Sequence, residues 1–490
     1  MNLSKSLYIR GIQCKKSLWL KKYRPELLTP PDAQAQAKFE TGSQVGELAL
    51  KLFSGGVMIP YSETTFNEKI ELTKKYIAEG MSNIYEASFV YDGVFLMIDI
   101  LHINDDGSME IYEVKSSTEV KEVYLHDASI QYYVLNGLGF DVKRANIIHI
   151  NNKYIREDEL DVEKLFIVVD VTEEIKAMQN DISVYLKTFE QTLNDRDREP
   201  DVPIGPQCTN PYDCDAIEYC WRDVPDYSIF NISRLKTTKK FELYHNGIVH
   251  FHQLEDIYSF SLSQQIQITS ELEQKETIDK DAIKEFLDTL TYPVYHLDFE
   301  TFQQAIPEWK GVSPYMQIPF QYSIHIDYGD GRLEHREFLA QDGKDPRYEL
   351  AKSLANDIPD NVTVLAYNAG FEKGVIQKLA DQFSEFSLHL MSVYDNIKDL
   401  MIPFQKTHYY VPAMKGSYSI KYVLPAIVPE MQKAYEELSL VHHGGEAMQA
   451  FANLSKMDSE TKEKYRKALL EYCKLDTLAM VKVLEKLQSI

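Results

Sequence analysis

The sequence predicts an α/β protein with mixed sheets, divided into more than one domain. The chain has 490 residues, which is too long for one ordinary hydrophobic core. Its 44% of hydrophobic and 26% of charged residues are typical of a soluble globular protein. Strand-like and helix-like patterns alternate along residues 32–193 and again along residues 292–487. We find no internal repeat or low-complexity tract.

Composition and the N-terminal sequence predict a cytoplasmic location. No run of about 18 apolar residues is present, so we expect no membrane span and no membrane partner. The first ten residues lack the apolar core of a signal peptide. A net charge of −23 opposes contact with phosphate over most of the surface. Any nucleic acid must therefore follow a local basic strip, while most surface acids serve solubility.

The N-terminal half predicts a helix, three strands, a second helix and a fourth strand. Their predicted ranges are residues 32–53, 84–91, 94–103, 109–114, 126–137 and 145–150. Glu113 and Lys115 alternate on the third strand and so share one face, with Asp99 on the neighbouring strand. Such acids can hold a cation that neutralises a phosphate, while the lysine orients water or stabilises developing charge. A cross-strand ion pair is the plain alternative.

This order of elements resembles the RecB-like branch of the PD-(D/E)xK nucleases. The resemblance implies a restriction-endonuclease-like domain over residues 1–228. It implies metal ligands Glu47, Asp99 and Glu113, and catalytic residues Lys115 and Gln131. An ordinary exposed glutamate is the alternative interpretation of Glu47.

Four of the five cysteines form a second pattern. Cys14 precedes the predicted core, and Cys208, Cys214 and Cys220 follow it with five residues in each gap. Four thiolates suffice for an iron–sulfur cluster or a zinc ion, and buried free thiols are the alternative. The layout resembles CRISPR-associated and AddB-type RecB-like nucleases, which implies a 4Fe–4S cluster. The first gap is usually shorter in that family, which bears on the type of cluster rather than on ligation. Zinc is the alternative cofactor.

Residues 229–287 predict a helical connector. A helical hairpin over residues 232–248 resembles the helix-hairpin-helix modules that contact nucleic-acid backbones, and a packing linker is the alternative. Residues 271–285, rich in Glu, Lys and Asp, predict an exposed helix. The candidate phosphate contacts of the connector are Lys236, Lys239 and Lys240.

The C-terminal segment is organised around a strand at residues 292–301. Its apolar run predicts a buried strand, and Asp298 and Glu300 leave the same face of it. Two acids so placed repel each other unless a cation lies between them, and Mg²⁺ or Mn²⁺ prefers such oxygen ligands. A strand end with two solvated acids is the alternative.

Two later segments add to this pair. Residues 365–372 predict a strand that runs into a helix, with Glu372 in its first turn. Residues 469–487 have helical spacing, and place Tyr472 and Asp476 on one face because they are four residues apart. Lys415 and Lys421, which flank a helix-start signal, are expected to contact either substrate phosphate or solvent.

These acids, in this order, resemble the tyrosine subclass (DEDDy) of the DEDD exonuclease superfamily. The resemblance implies a DnaQ-type, RNase H-like domain over residues 288–490, with Tyr472 orienting the attacking water. The family's second acid is usually Asp, so Asp395 and Asp399 compete with Glu372 for that role. The implied ligands of two Mg²⁺ or Mn²⁺ ions are Asp298, Glu300, Glu372 and Asp476.

The two resemblances together predict a fusion of two nucleases that uses nucleic acid as its partner. The expected activity is 3′–5′ exonucleolytic hydrolysis of phosphodiesters, with DNA rather than RNA as the substrate, in repair or defence. One alternative is an RNA 3′–5′ exonuclease. The other is a nucleic-acid-binding protein with a structural or redox iron–sulfur cluster and an inactive N-terminal site.

Overall fold

The computed structural model describes residues 3–60, 62 and 64–490 and divides the chain into two compact units. Unit 1 contains residues 1–223 and 304–316, and unit 2 contains residues 224–303 and 317–490. Each unit has helices and a mixed sheet, which confirms the α/β class with mixed sheets. Among the described residues, no helix is long and apolar enough to cross a membrane.

Unit 1 is built on a seven-stranded sheet. Its strands are β1 (Leu3–Ser4), β2 (Val57–Met58), β3 (Asn83–Tyr91), β4 (Val94–Ile103), β5 (Met109–Lys115), β6 (Val142–Ile150) and β7 (Phe166–Asp170). Its helices are α1 (Lys5–Gln13), α2 (Lys15–Tyr23), α3 (Ala33–Ala49), α4 (Phe66–Ala78), α5 (Glu122–Gly137), α6 (Val162–Leu165), α7 (Thr172–Ala177), α8 (Gln179–Asn194) and α9 (Ile217–Cys220).

The sheet of unit 1 has the strand order β2-β3-β4-β5-β6-β7, and β1 pairs in parallel with β4. Strands β3, β4 and β5 are antiparallel neighbours, whereas β5 and β6 are parallel and connected through α5. Strand β1 pairs with residues 94 and 95, and β5 pairs with residues 100–103 of the same strand. The chain therefore enters α1 beside the sheet, which positions Lys5 close to β5.

Unit 2 has a five-stranded sheet and a separate pair of short strands. Its strands are β8 (Thr277–Ile278), β9 (Val294–Phe302), β10 (Ile318–Asp327), β11 (Leu333–Leu339), β12 (Thr363–Ala366), β13 (Ile397–Asp399) and β14 (Tyr409–Tyr410). Its helices are α10 (Thr237–His245), α11 (Leu262–Glu273), α12 (Lys280–Leu287), α13 (Arg347–Asp357), α14 (Gly370–Gln382), α15 (Ser384–Asn396), α16 (Ile402–Gln405), α17 (Ile420–Ile427), α18 (Gly444–Asn453) and α19 (Ser459–Gln488).

The larger sheet of unit 2 has the order β11-β10-β9-β12-β13. Strands β9, β10 and β11 are antiparallel, and β12 and β13 continue the sheet in parallel. Strand β9 is central, and hydrophobic clusters cover both of its faces. Helix α19 packs on β9 and β10, where the Gln321 side-chain amide donates to the Leu469 carbonyl at 2.8 Å. This packing places the acids of β9 against α19.

The segment at residues 229–287 packs within unit 2 around its own apolar cluster, which includes Ile229, Phe251 and Ile268. The predicted exposed helix at residues 271–285 is wrong. That range contains the end of α11, strand β8 and most of α12. Strand β8 forms because it pairs with β14, more than 100 residues away in the sequence, and local composition cannot indicate such a partner.

Gly416 allows its loop to pack tightly against residues 229–287. Its φ is +78°, and an added Cβ would lie 2.3 Å from the Asn231 carbonyl oxygen. We expect Gly416→Ala to lower the free energy of unfolding by about 2–4 kcal/mol, because left-handed backbone strain adds to overpacking. Urea denaturation of the full chain measures this loss.

Gly247→Ala is the matched control for that substitution. Gly247 has a φ of +79°, but no atom of the described residues would lie within 4 Å of an added Cβ. The control should therefore lose only the backbone contribution. Equal losses for the two variants would contradict tight packing at Gly416.

Candidate active site

Three acids of unit 2 converge at the junction of β9 and α19. Asp298 and Glu300 come from β9, and Asp476 comes from α19. One carboxylate oxygen of each lies within 4.8 Å of the others. Within residues 3–60, 62 and 64–490, this is the only group of His, Cys, Asp or Glu that meets this spacing. The alternation along one strand and the packing of α19 produce this convergence.

Glu372, in the first turn of α14, lies near this group. Its side chain is only 2% exposed, and its Oε2 atom has no hydrogen-bond partner among the residues that the structure describes. Its charge is close enough to raise the pKa of both Asp298 and Glu300, after the larger effects of burial and Asp476. The competing acids are placed differently. Asp399 accepts hydrogen bonds from the Asn368 and Met401 amides, and Asp395 is exposed on α15.

Burial raises the pKa of every acid in this group, and repulsion by neighbouring acids of the group adds to the rise at Asp298 and Glu300. Burial, followed by Asp476 and Glu300, raises the pKa of Asp298 well above its ordinary value. Burial raises the pKa of Glu300 to about 8 and that of Glu372 to about 8. Burial also raises the pKa of Asp476 to about 6, although Lys421 opposes that rise. The site therefore carries more negative charge than the protein itself compensates.

Two tyrosines and a lysine surround Asp476. Tyr472 lies one helical turn before it, and burial raises the pKa of the Tyr472 hydroxyl. The Tyr435 hydroxyl donates a hydrogen bond to Asp476 Oδ1 at 2.6 Å. Lys421 Nζ lies 5.3 Å from the ring centroids of both tyrosines. Sequence patterns did not identify Tyr435, because it belongs to no periodic element and pairs with Asp476 only through folding.

Two further neighbours were also missed. The buried Cys473 thiol lies 3.6 Å from Asp298 Oδ2, although the sequence indicates only an apolar position on α19. A Cβ on Gly444 would lie 3.4 Å from Glu300 Oε2, so the start of α18 approaches the acids closely. A paired glycine at residues 444–445 was the only sequence signal there.

The acids open into a cavity of about 950 Å³ in unit 2. Its lining includes four cations, Arg234, Lys240, Lys415 and Lys421. Three of these, Lys240, Lys415 and Lys421, belong to the lysines predicted to contact phosphate. Two of the three donate to a backbone carbonyl, Lys240 to Phe230 at 2.6 Å and Lys421 to His442 at 3.0 Å.

The other two predicted phosphate contacts are outside this cavity lining. Lys236, which precedes α10, is exposed, and Lys239 in its first turn is half-buried. The Lys239 ammonium pairs with Glu242 at 2.7 Å. Arg234 and Lys415 both line the cavity. No sequence pattern indicated Arg234, whereas Lys415 was expected, with Lys421, to contact either phosphate or solvent.

Unit 1 gathers a second polar cluster on β4, β5 and α5. Lys115 Nζ lies 2.6 Å from Glu113 Oε1 and 2.6 Å from Asp127 Oδ2. The Gln131 side-chain amide donates to Glu113 Oε2 at 2.6 Å. Asp99 on β4 accepts a hydrogen bond from the Val114 amide at 2.7 Å. Four of the five residues predicted for this site therefore lie together.

Glu47 is not brought into that cluster. It is exposed on α3, and in the described part of the chain its side chain forms no hydrogen bond or ion pair. Instead, Lys5 places its ammonium 3.0 Å from both Glu113 carboxylate oxygens. Glu86 of β3 has a left-handed φ of 57° and lies close enough to interact with Lys5 and Glu113. The sequence gives no local signal for either residue.

The charges of this cluster largely oppose each other. Burial followed by Glu113 raises the pKa of Asp99 to about 7. Burial would also raise the pKa of Glu113, but the ammonium groups of Lys115 and Lys5 outweigh it and hold that pKa below its ordinary range. The ion-pair alternative and a metal site therefore both have a basis here.

The four cysteines Cys14, Cys208, Cys214 and Cys220 line one small cavity of about 20 Å³ in unit 1. Arg10 forms two hydrogen bonds with Asp215, at 2.7 and 2.9 Å, which tie the N-terminal helix to the cysteine segment. Burial raises the pKa of Cys14, and that of Cys220 to about 11. Within the described residues, no three of these thiols lie within 4.8 Å of one another.

Comparison with known proteins gives two matches. Residues 295–419 match a family model described as a domain of unknown function, DUF2779. The matched range contains Asp298, Glu300 and Glu372 but ends before Tyr472 and Asp476. A stretch of 158 residues, 30% of this chain, is 26% identical to the uncharacterized protein UU173 of Ureaplasma parvum serovar 3. It covers 23% of that relative, so this chain spans less than a quarter of its length.

Without divalent ions, the protein should lose stability as the pH rises from about 5 to 8. The folded protein retains protons on Glu300 and Glu372, whose pKa values are about 8, and on Asp476, whose pKa is about 6. The unfolded chain releases these protons near pH 4, so folding is favoured at low pH and progressively less as these groups ionise. Thermal unfolding at a series of pH values measures this slope.

Mg²⁺ or Mn²⁺ should raise the melting temperature more at pH 8 than at pH 5, because only the ionised acids bind it. Glu300→Gln should reduce both the pH slope and this response. Glu337→Gln, on β11 and outside the cavity lining, is the control and should retain the response. A metal response that Glu300→Gln leaves intact would contradict binding at these acids.

Proposed function

We propose that unit 2 is a metal-dependent 3′–5′ exonuclease that hydrolyses phosphodiesters of DNA. The observation that carries this proposal is the convergence of Asp298, Glu300 and Asp476 within 4.8 Å. The unpartnered, buried Oε2 atom of Glu372 adds a fourth oxygen donor directed away from solvent. An isolated buried carboxylate is costly unless a cation compensates it.

The donor set fits Mg²⁺ or Mn²⁺, because carboxylate oxygens suit these hard cations. Bound in this site, a pair of such ions would supply an activated water and stabilise the leaving oxygen of the phosphodiester. Asp298, Glu300, Glu372 and Asp476 would hold them. Lys421 lowers the pKa values of Glu300 and Asp476, but both remain above their ordinary values, so its charge compensates the acids only in part.

The tyrosines beside Asp476 have roles that follow from their positions. The Tyr472 hydroxyl, whose pKa is raised, stays protonated and can donate or accept a hydrogen bond to orient water. The Tyr435 hydroxyl orients Asp476 through its hydrogen bond. Both rings also border the Lys421 ammonium.

The fold supports the same assignment. An antiparallel β11-β10-β9 group continued by parallel β12 and β13 is compatible with a DnaQ-type, RNase H-like domain. The acids of β9, α14 and α19 appear in the order that the DEDDy resemblance implies. We propose a role in repair or in defence against foreign DNA.

Asp298→Asn, Glu372→Gln and Asp476→Asn should each reduce exonuclease activity by on the order of 10³-fold, because each removes a metal ligand. The assay follows release of 5′ mononucleotides from labelled single-stranded DNA, double-stranded DNA and RNA of one sequence, with Mg²⁺ and with Mn²⁺.

Asp395→Asn is the matched control for that assay. Asp395 is an exposed acid on α15 and should leave the activity unchanged. Loss of activity in Asp395→Asn, with retention in Glu372→Gln, would contradict the assigned second acid. Degradation of RNA alone would favour the RNA exonuclease alternative, and no degradation by the unaltered chain would refute the proposal.

A second candidate function belongs to unit 1, as a RecB-like PD-(D/E)xK nuclease. It is favoured by the meeting of Glu113 with Lys115 and Gln131, and by the nearby Asp99. The Lys5 ammonium on Glu113 favours the alternative of an inactive, nucleic-acid-binding site. Adding Lys115→Ala to the Asp298→Asn variant separates an active from an inactive unit 1. If Asp298→Asn retains some cleavage and the double variant loses it, unit 1 is an active nuclease.

We further propose that Cys14, Cys208, Cys214 and Cys220 hold a 4Fe–4S cluster, with zinc as the alternative. Four cysteines around one cavity are a complete ligand set for either. The Arg10 guanidinium is near Cys14 and Cys214, and Lys16 is near Cys220, so positive charge is available to stabilise thiolates. The ligands come from both ends of unit 1 and would tie them together.

Anaerobically purified protein should therefore show a thiolate-to-iron absorbance band, with iron and sulfide in equal amounts. Cys214→Ser should abolish the band because it removes a ligand, whereas Cys473→Ser, which alters the only cysteine outside the set, should retain it. Zinc without iron would favour the alternative, and neither metal would contradict ligation.

A further inference from the structure

One wall of the cavity in unit 2 is formed by the segment at residues 226–240. This segment contributes Arg234 and Lys240 to the lining, whereas Asp298, Glu300 and Asp476 line another part of the same cavity. The loop at residues 412–419 contributes Lys415 and Tyr418. Cations and acids thus border one space of about 950 Å³.

Two buried glutamines hold the backbone that presents Arg234. Gln267, which is 1% exposed, accepts a hydrogen bond from the Ser233 amide at 2.8 Å. The Gln264 side-chain amide donates to the Ser233 carbonyl at 2.9 Å. Arg234 itself has a left-handed φ of 55°. A non-glycine residue persists in that conformation only where its surroundings fix it, so Arg234 is held in place before any ligand binds.

The Arg234 side chain lies on the Tyr418 ring and retains N–H donors that do not contact this ring. Its guanidinium carbon is 5.0 Å from the ring centroid, and Nε and Nη2 each lie 3.3 Å from the Tyr418 hydroxyl. The residue is exposed, and in the described part of the chain no carboxylate pairs with it. A guanidinium has five N–H donors, so most of its fork is open to an anion.

Lys415 adds a second cation on the adjoining wall. It is exposed, has a left-handed φ of 49°, and forms no ion pair within residues 3–60, 62 and 64–490. The following Gly416 packs against the Asn231 carbonyl, which fixes this loop to the segment that carries Arg234. On a chain of net charge −23, two unpaired cations on one cavity wall are a local basic surface.

We propose that Arg234 and Lys415 form a second phosphate subsite. This subsite binds a backbone phosphate of the substrate strand that is different from the phosphate at the cleaved bond. The Tyr418 ring beside it provides a face on which a base can stack. This inference rests on the proposed exonuclease function of unit 2. It makes the substrate a polynucleotide with at least two phosphates, and makes a single phosphodiester a poor ligand.

Two substrates separate this subsite from the cleavage site. One is a fluorescent oligothymidylate, and the other is the p-nitrophenyl ester of thymidine 5′-monophosphate, which has one phosphodiester. Arg234→Ala should raise the KM for the oligothymidylate about tenfold with kcat unchanged, because one charge-assisted contact is lost. It should also reduce the slope of log affinity against log salt by about 1. Hydrolysis of the small ester should not change.

Two variants calibrate the result. Arg234→Lys keeps the charge and should restore the salt slope. Arg332→Ala is the matched control, because Arg332 is an exposed arginine over a tyrosine ring of the same unit, 4.4 Å from the Tyr328 centroid, and outside the cavity lining. It should leave both substrates and the salt slope unchanged.

The outcomes distinguish the two proposals. An unchanged KM and salt slope in Arg234→Ala, with normal cleavage of both substrates, would overturn the subsite and leave the exonuclease intact. Equal loss on both substrates would also overturn it, because the effect would then lie at the cleavage site. If the unaltered chain cleaves neither substrate, anisotropy binding of the oligothymidylate decides: binding that depends on Arg234 supports the subsite, and absence of binding overturns it.

Discussion

The removal of four neighbouring carboxylates from water is the constraint on which the architecture of unit 2 depends, and repulsion adds to it at Asp298 and Glu300. Strand β9, helix α14 and helix α19 each contribute to this group, and their packing buries it. Hydrogen bonds from Tyr435 and Tyr472 and the charge of Lys421 offset only part of the effect of burial on the pKa of Asp476. A cation would stabilise this acidic site. The strand and helices that carry its acids also pack against one another in the core of unit 2.

In the polar cluster of unit 1, lysine side chains compensate the charge of the buried acids. There, Lys5 and Lys115 contact Glu113 directly, and the pKa of that acid falls instead of rising. The protein supplies the compensating charge from its own side chains. The two acidic sites therefore differ in how their negative charge is compensated. Lysine side chains compensate it in unit 1 but only partly in unit 2, and residue type alone does not reveal this difference. The proposal of a bound cation therefore has its stronger basis in unit 2.

The local distribution of charge reconciles an acidic chain with the phosphate-containing substrate that we propose. A net charge of −23 describes the whole surface, whereas a substrate meets only one cavity. In that cavity, the exposed Arg234 and Lys415 have no carboxylate partners in the described part of the chain. The segment at residues 226–240 is more than a linker, because it packs into unit 2 and forms part of the cavity wall.

The sequence by itself determined the features that depend on near neighbours. Alternation along a strand put Asp298 and Glu300 on one face, and helical spacing put Tyr472 beside Asp476. Only the tertiary structure decided which distant residues meet them, so Tyr435, Lys5 and Arg234 were not foreseen. For Glu47, the sequence predicted the helix correctly but did not reveal that the side chain lies outside the polar cluster of unit 1. The physical reason is that periodicity fixes a side chain's face, whereas contacts and charge compensation depend on which elements pack together.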